Sequence, residues 1–212
     1  MTRAFLFDMD GTLVDSLADI GGAMNFVLRE SGFPEHPIDR YRMLVGEGVG
    51  QLVGKAIPPG NDARIDEIGK RYRARYRENL IALSRPYDGI VALLDALRAR
   101  GDRLGVVTNK PQALAELVAD RLFGAGAFDV VVGERDGVPR KPDPAPARLA
   151  ASVLGLSASA CVFVGDTFVD IHTARAAEMK SVGVLWGFRD RAELEEAGAD
   201  HIALHPNEIL AL

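Results

Sequence analysis

From residue 86 onward the chain alternates between short apolar runs and helix-period segments, and this alternation restricts the fold more than any other feature. The apolar runs are Arg103–Thr108, Val130–Val132, Ala160–Val164, Ser181–Leu185 and His201–Ala203. Between them lie helical patterns: one to Arg100 with Asp88 as its N-cap, Gln112–Phe123, one from Asp143-Pro144 to about Leu154, and Phe168–Ala177. Strands separated by helices of this length form a doubly wound, mostly parallel, Rossmann-like α/β sheet. The first strand of that sheet stands apart from the others. Ala4–Phe7 is apolar and ends in Asp8-Met9-Asp10-Gly11-Thr12, a tight-turn signature. Between residues 15 and 83 no strand signal occurs. Helical patterns at Leu17–Arg29, about Asp39–Leu44, Val49–Ala56 and about Asp62–Leu83 predict an all-α insertion. The expected organisation is a core of residues 1–14 and 84–212 with a small helical cap at 15–83.

The 212 residues, 48% hydrophobic and 26% charged, suffice for a sizeable core. No apolar run reaches the ~20 residues of a membrane span. The N-terminal apolar run meets Asp8 after four positions, unlike a signal peptide. A single cysteine, Cys161, excludes an internal disulfide and reads as a core residue. These features favour a cytoplasmic protein with no membrane partner. The net charge of −5 gives no support to nucleic-acid binding, so an anionic ligand has to be attracted by a local site. The run Arg71–Arg77, basic with interleaved tyrosines, reads as the solvated flanks of an amphipathic helix. The segment counted as cap carries as many acidic as basic residues.

In open parallel sheets, ligands bind beyond the carboxyl ends of the strands. Those ends carry Asp8 and Asp10, then Thr108-Asn109-Lys110, then Gly165-Asp166-Thr167 with Asp170 following; a loop adds Arg140-Lys141-Pro142-Asp143. Clustered carboxylates stay ionised only around a cation. Oxygen donors without a Cys or His cluster select a hard ion, with Mg²⁺ first. A carboxylate beside Mg²⁺ and Lys141 is an available nucleophile, and the Gly11 turn can swing Asp10 toward a leaving group as acid and then base. Gly11 lets backbone N–H groups approach a phosphate, and Thr108 and Asn109 supply neutral donors to phosphoryl oxygens. Phosphoryl transfer depends on this kind of positioning and charge neutralisation. The Gly46–Gly50 segment fails the phosphate-loop pattern and reads as a cap loop facing the site.

At these residues the sequence resembles the haloacid dehalogenase superfamily. Its motifs match an apolar strand followed by Asp8, Asp10, Gly11 and Thr12; a strand-end Thr108; Lys141 before Pro142; and Gly165, Asp166, Thr167 and Asp170. The phosphoglycolate phosphatase-like subgroup is most similar, through Asp10–Ser16, Thr108–Pro111, Val164–Asp170 and the cap segment Val45–Val49. The resemblance implies that Asp8 is nucleophile and metal ligand, and that Asp10 is acid/base and binds metal through its backbone carbonyl. Asp166 would be the third protein ligand and Asp170 an outer or alternative one. Gly11, Thr12, Thr108, Asn109 and Lys141 would hold the phosphoryl group. Cap specificity is expected from near Arg42, Gly46, Glu47 and Gly48. The implied reaction is Mg²⁺-dependent hydrolysis of a small phosphate monoester, 2-phosphoglycolate first, by a monomer or homodimer. A sugar-phosphate mutase, pyrophosphatase or nucleotidase uses the same core. A phospho-aspartate receiver domain would lack the second carboxylate, Asp10, and the cap. The chain departs from its relatives at Glu178, where Gly is usual, and at Asp88, where many have Pro. Glu178 predicts a strained or altered helix end.

Overall fold

The computed structural model of the protein describes residues 2–212. The chain opens with β1 (Ala4–Phe7), β2 (Val14–Asp15) and α1 (Leu17–Glu30). After a 3₁₀ segment at Ile38–Met43 come α2 (Val49–Ala56), a 3₁₀ turn at Asp62–Arg64, α3 (Ile65–Glu78) and β3 (Arg85–Pro86). The remainder alternates: α4 (Ile90–Ala99), β4 (Arg103–Pro111), α5 (Gln112–Phe123), β5 (Val130–Glu134), α6 (Ala145–Val153), β6 (Cys161–Gly165), α7 (Phe168–Ala176), β7 (Lys180–Val184), α8 (Arg191–Glu196) and β8 (His201–Ala203).

Six strands form one sheet in the order β5-β4-β1-β6-β7-β8, and every pairing in it is parallel. All four residues of β1 are fully buried, as expected of a central strand covered on both faces. Chain order reverses at β1: the path runs out through β4 and β5, then returns to β6 on the other side. This topological switch places the crevice for a ligand at the carboxyl end of β1. Cys161 is buried in the core layer under α6. Among the described residues no helix is long and apolar enough to cross a membrane.

The helical block packs over that crevice. Its buried side chains, including Met24, Leu28, Tyr41, Val53, Ile68 and Tyr76, belong to the same hydrophobic cluster as Phe5, Phe7 and Val106 of the sheet. Two two-residue strands join it to the sheet. β2 and β3 pair antiparallel, Val14 with Pro86 and Asp15 with Arg85, so the chain enters and leaves the block through one short ribbon. The ribbon was not expected: two residues are too few for a period-two pattern. Asp19 secures the exit by accepting from Leu83 N (3.0 Å to Oδ2), Ser84 N (2.8 Å) and Ser84 Oγ (2.6 Å).

Three local expectations change. The long helix expected to reach Leu83 stops at Glu78, and its first turn is 3₁₀. Asp88 is exposed and does not cap α4; Gly89 occupies the N-cap position at φ +85°, a left-handed conformation natural to glycine. Asp143 Oδ1 does accept from Ala145 N at 2.8 Å, with α6 beginning one residue later than Pro144. At the end of α7, Glu178 holds φ +64°, the one non-glycine residue with positive φ among those described. It closes the helix with Glu178 N donating to Arg175 O and Met179 N to Ala174 O.

Candidate active site

The carboxyl end of β1 delivers Asp8, β4 delivers Thr108, Asn109 and Lys110, and the turn after β6 delivers Asp166, with Asp170 on the first turn of α7. Ligand oxygens of Asp8, Asp166 and Asp170 lie within 4.8 Å of one another, and all three residues are buried. Two glycines make this clustering sterically possible. A Cβ on Gly11 (φ +91°) would stand 2.3 Å from Asp166 Oδ2, and one on Gly165 would stand 2.2 Å from Asp170 Cβ.

Lys141 enters from the loop before α6, preceding a cis Lys141–Pro142 bond. Its Nζ donates to Asp170 Oδ1 at 2.7 Å and stands 2.8 Å from Asp8 Oδ1. The second contact is off hydrogen-bond alignment, so Asp8 Oδ1 has no well-aligned donor. Burial raises the Asp8 carboxyl from 3.8 to about 6; Lys141 opposes the rise and Asp170 adds to it. Asp166 is also pushed well above the carboxylate range, first by burial, then by the charges of Asp170 and Asp8. Lys141 is held protonated: burial opposes its charge, but the pull of Asp170 and Asp8 prevails. A buried carboxylate set whose members push one another toward the neutral form, with one oxygen lacking an aligned donor, fits a divalent cation.

Other expected site residues have partners that sharpen or change their parts. Thr12 does not face a phosphate; its hydroxyl donates to Asp166 Oδ1 at 2.9 Å, while Phe188 N donates to Asp166 Oδ2 at 2.8 Å. Asn109 is also committed. Its amide donates to Gly46 O (2.9 Å) and Lys141 O (3.0 Å), and its Oδ1 accepts from Lys141 N (2.9 Å). It therefore positions Lys141 and tethers the helical block, with no side-chain donor left for phosphoryl oxygens. Thr108 Oγ1 accepts from Lys110 N at 3.2 Å and keeps its proton free. Asp170 Oδ2 accepts from Thr167 N (3.0 Å) and Oγ1 (2.9 Å), which orients its other oxygen on Lys141.

Asp10 points away from the carboxylate cluster. Ser16 Oγ donates to its Oδ1 at 2.7 Å, and Lys110 Nζ reaches Oδ1 at 2.8 Å and Oδ2 at 2.9 Å. The motifs assign Lys110 no part, although it ends the same polar triplet as Thr108 and Asn109. Its Nζ also donates to the hydroxyl of Tyr76 on α3 at 2.7 Å. Tyr76 was legible only as an apolar-face residue, because its helical spacing carries no sign of what its hydroxyl meets.

Over Asp8 and Asp10 lies a cavity of about 60 Å³, roofed in part by the helical block. Gly46 and Gly48 line it. Arg42 and Glu47 do not: Arg42 Nη1 donates to Gly187 O at 2.8 Å, across the seam between block and sheet, and Glu47 pairs with Lys55. A second seam contact, Arg189 Nη2 to Val45 O at 3.2 Å, and the Trp186 Nε1 bond to Thr12 O at 2.9 Å come from the segment after β7. That segment acts through backbone groups and an arginine remote in sequence, which motif spacing does not reveal.

Comparison with known proteins agrees with this geometry. The family described as haloacid dehalogenase-like hydrolase matches residues 2–178. The phosphoglycolate phosphatase of Xylella fastidiosa (strain 9a5c) is 36% identical over 191 residues, covering 90% of this chain and 83% of that one. The N-acetylmuramic acid 6-phosphate phosphatase of Pseudomonas aeruginosa is 37% identical over 210 residues, covering 98% and 93%. A solved haloacid dehalogenase-like hydrolase from Streptococcus pneumoniae superposes with a TM-score of 0.90 at 27% identity, covering 99% of this chain and 97% of that one. With the motif residues converging at one switch point and a family match over most of its length, the chain belongs to the haloacid dehalogenase-like hydrolases.

Proposed function

We propose that the protein hydrolyses 2-phosphoglycolate to glycolate and phosphate through a phosphoryl group carried transiently on Asp8. The observation that carries this reading is the placement of Asp8: a buried carboxylate with a poorly partnered oxygen, beside a protonated lysine, facing a cavity that also contains Asp10.

In the first step an Asp8 oxygen attacks phosphorus, the P–O ester bond breaks, and Asp10 gives its proton to the departing alkoxide. In the second step Asp10 takes a proton from water as that water attacks the phosphoaspartate, releasing phosphate and restoring Asp8. Lys141 offsets charge on Asp8 and on the phosphoryl oxygens, and the free Thr108 proton donates to one of them. The residues that would hold Mg²⁺ are Asp8, Asp166 and the Asp10 backbone carbonyl, with Asp170 behind Lys141. When bound, the cation neutralises negative charge accumulated between these carboxylates and the phosphoryl group. The helical block, residues 15–83, acts as a cap that excludes bulk water during the reaction and opens about the β2–β3 ribbon.

The relatives named above act on different esters, and the small cavity favours a short leaving group over an amino sugar. A cytoplasmic location accords with the single cysteine being a buried free thiol. The test is a panel of phosphate esters assayed with Mg²⁺ and with chelator. Phosphoglycolate should exceed a generic aryl phosphate in kcat/KM by at least about tenfold. No advantage would remove the substrate assignment. Full activity of Asp8→Asn, or in chelator, would remove the mechanism.

A further inference from the structure

The basic run Arg71–Arg77 on α3 separates into different parts once folded. Arg71 Nη1 donates to Ser31 Oγ at 2.9 Å. Arg75 Nη1 donates to Glu78 Oε2 at 3.1 Å, and its guanidinium lies 4.2 Å from the centroid of the Phe26 ring. Arg73 has no hydrogen bond or ion pair with any described residue, yet it lines the cavity above Asp8 and Asp10. Arg73 is exposed and also lines the outer groove that carries Arg135 and Arg140, so it stands where the cavity opens to solvent. One turn earlier on α3 is Gly69. Arg73 Nη1 lies 3.6 Å from where a Cβ on Gly69 would stand, an ordinary packing distance, so the guanidinium folds back along the helix.

The cavity gives a leaving group few polar partners. Its walls beyond the phosphoryl end include Ile20, Val49, Leu52 and Leu114. Lys110 is the other cation in the lining, and its ammonium is already engaged by both oxygens of Asp10 and by Tyr76. Lys141 is engaged by Asp8 and Asp170. Arg73 is therefore the one cation of the lining, among the described residues, with its donors free. A guanidinium presents two parallel N–H groups that match a carboxylate, and the exposed Arg73 presents them at the mouth of the cavity.

We propose that Arg73 determines specificity by binding a carboxylate on the leaving group of the ester. This rests on the phosphatase reading of the site, but not on glycolate being the leaving group. Arg73 touches the part of the substrate that does not react, so its contribution is to binding and orientation rather than to bond breaking.

The experiment compares 2-phosphoglycolate with 2-hydroxyethyl phosphate, a similar ester without the carboxylate, using the wild type, Arg73→Met and Arg73→Lys. The phospholactate and phosphopropanediol pair is run alongside. The wild type should favour each carboxylate ester by about tenfold or more in kcat/KM. Arg73→Met should bring that ratio near one, chiefly through KM for the carboxylate ester. It should change kcat/KM for the neutral esters by less than about twofold, which also reports that the variant is folded. Arg73→Lys should restore part of the preference. A wild type without carboxylate preference, a preference that survives in Arg73→Met, or equal losses on both ester types would each overturn the proposal. If phospholactate outperforms phosphoglycolate while Arg73→Met abolishes the carboxylate preference, the glycolate assignment fails and the part given to Arg73 stands.

Discussion

The ammonium of Lys110 on β4 donates to the phenol of Tyr76 on α3 at 2.7 Å, joining the sheet to the cap through the same nitrogen that holds both oxygens of Asp10. The Tyr76 ring stacks on Tyr72 with centroids 5.6 Å apart, so the hydroxyl is presented by a rigid aromatic pair. The helical block thereby fixes the ammonium that holds Asp10, the carboxylate proposed as acid and base.

Tyr76→Phe keeps the stacked ring and removes the hydroxyl. Without the phenol, Lys110 holds Asp10 less firmly, so kcat/KM should fall by about tenfold or more, and loss of a hydrogen bond to a charged group, about 1.5–3 kcal/mol, should lower the melting temperature by roughly 3–12 °C. Steady-state kinetics and a thermal melt check this. Unchanged kinetics would show that the contact does not support Asp10.

Asp8 makes the metal-free protein less stable at neutral pH. Its folded-state value of about 6 lies above the ordinary 3.8, so between these values the folded state binds more protons than the unfolded one. Stability from this group is therefore greatest below about pH 4, falls as pH rises through about 6, and stays lower above it. Asp8→Asn removes the buried charge and should raise metal-free stability at pH 7.5, by on the order of 1–3 kcal/mol. The gain should shrink toward pH 4. Chemical denaturation at both pH values, in chelator, gives the comparison; a destabilised variant at pH 7.5 would contradict it.

Metal affinity should carry the opposite pH dependence. Asp8 and Asp166 have to be ionised to hold a cation, and both resist ionisation in its absence, Asp8 up to about 6. Binding should release protons, and affinity should weaken as pH falls through about 6. Mg²⁺ should raise the melting temperature markedly at pH 7.5 and little at pH 5.5. An equal shift at both values would argue against these carboxylates as the ligands.

Glu178 holds a left-handed conformation, φ +64°, at an exposed helix end. An L-residue there costs roughly 1–2 kcal/mol, partly offset by the lower unfolded-state freedom of a non-glycine. Glu178→Gly should therefore stabilise the protein by about 0.5–1 kcal/mol and raise the melting temperature by roughly 1–4 °C. Activity should not change, because Glu178 lies outside the carboxylate cluster and the cavity lining.

The Glu178 departure was legible through the family resemblance, because relatives place a glycine at this helix end and the left-handed conformation it needs is imposed locally. The parallel sheet was legible for a related reason: burial on both faces writes an apolar run into each strand. The carboxylate cluster followed, since Asp8 and Asp166 stand at the ends of such strands. The β2–β3 ribbon was not legible, because its two strands are joined by a single antiparallel pairing of Val14–Asp15 with Arg85–Pro86 across the whole helical block. Nor was the loss of Asn109 as a phosphate donor, which depends on where Gly46 and Lys141 come to rest.

By itself the sequence determined which residues could do chemistry on a phosphoryl group, because strand ends, tight turns and carboxylates are local features. Tertiary structure decided what each of those residues faces. It turned Thr12 onto Asp166, Asp10 onto Lys110 and Arg42 onto the Gly187 carbonyl, and it left Arg73 unpartnered over the cavity. The reason is physical. A side chain's reach extends only a few ångströms, and which groups fall within it is set by the packing of the cap on the sheet, between residues far apart in the chain.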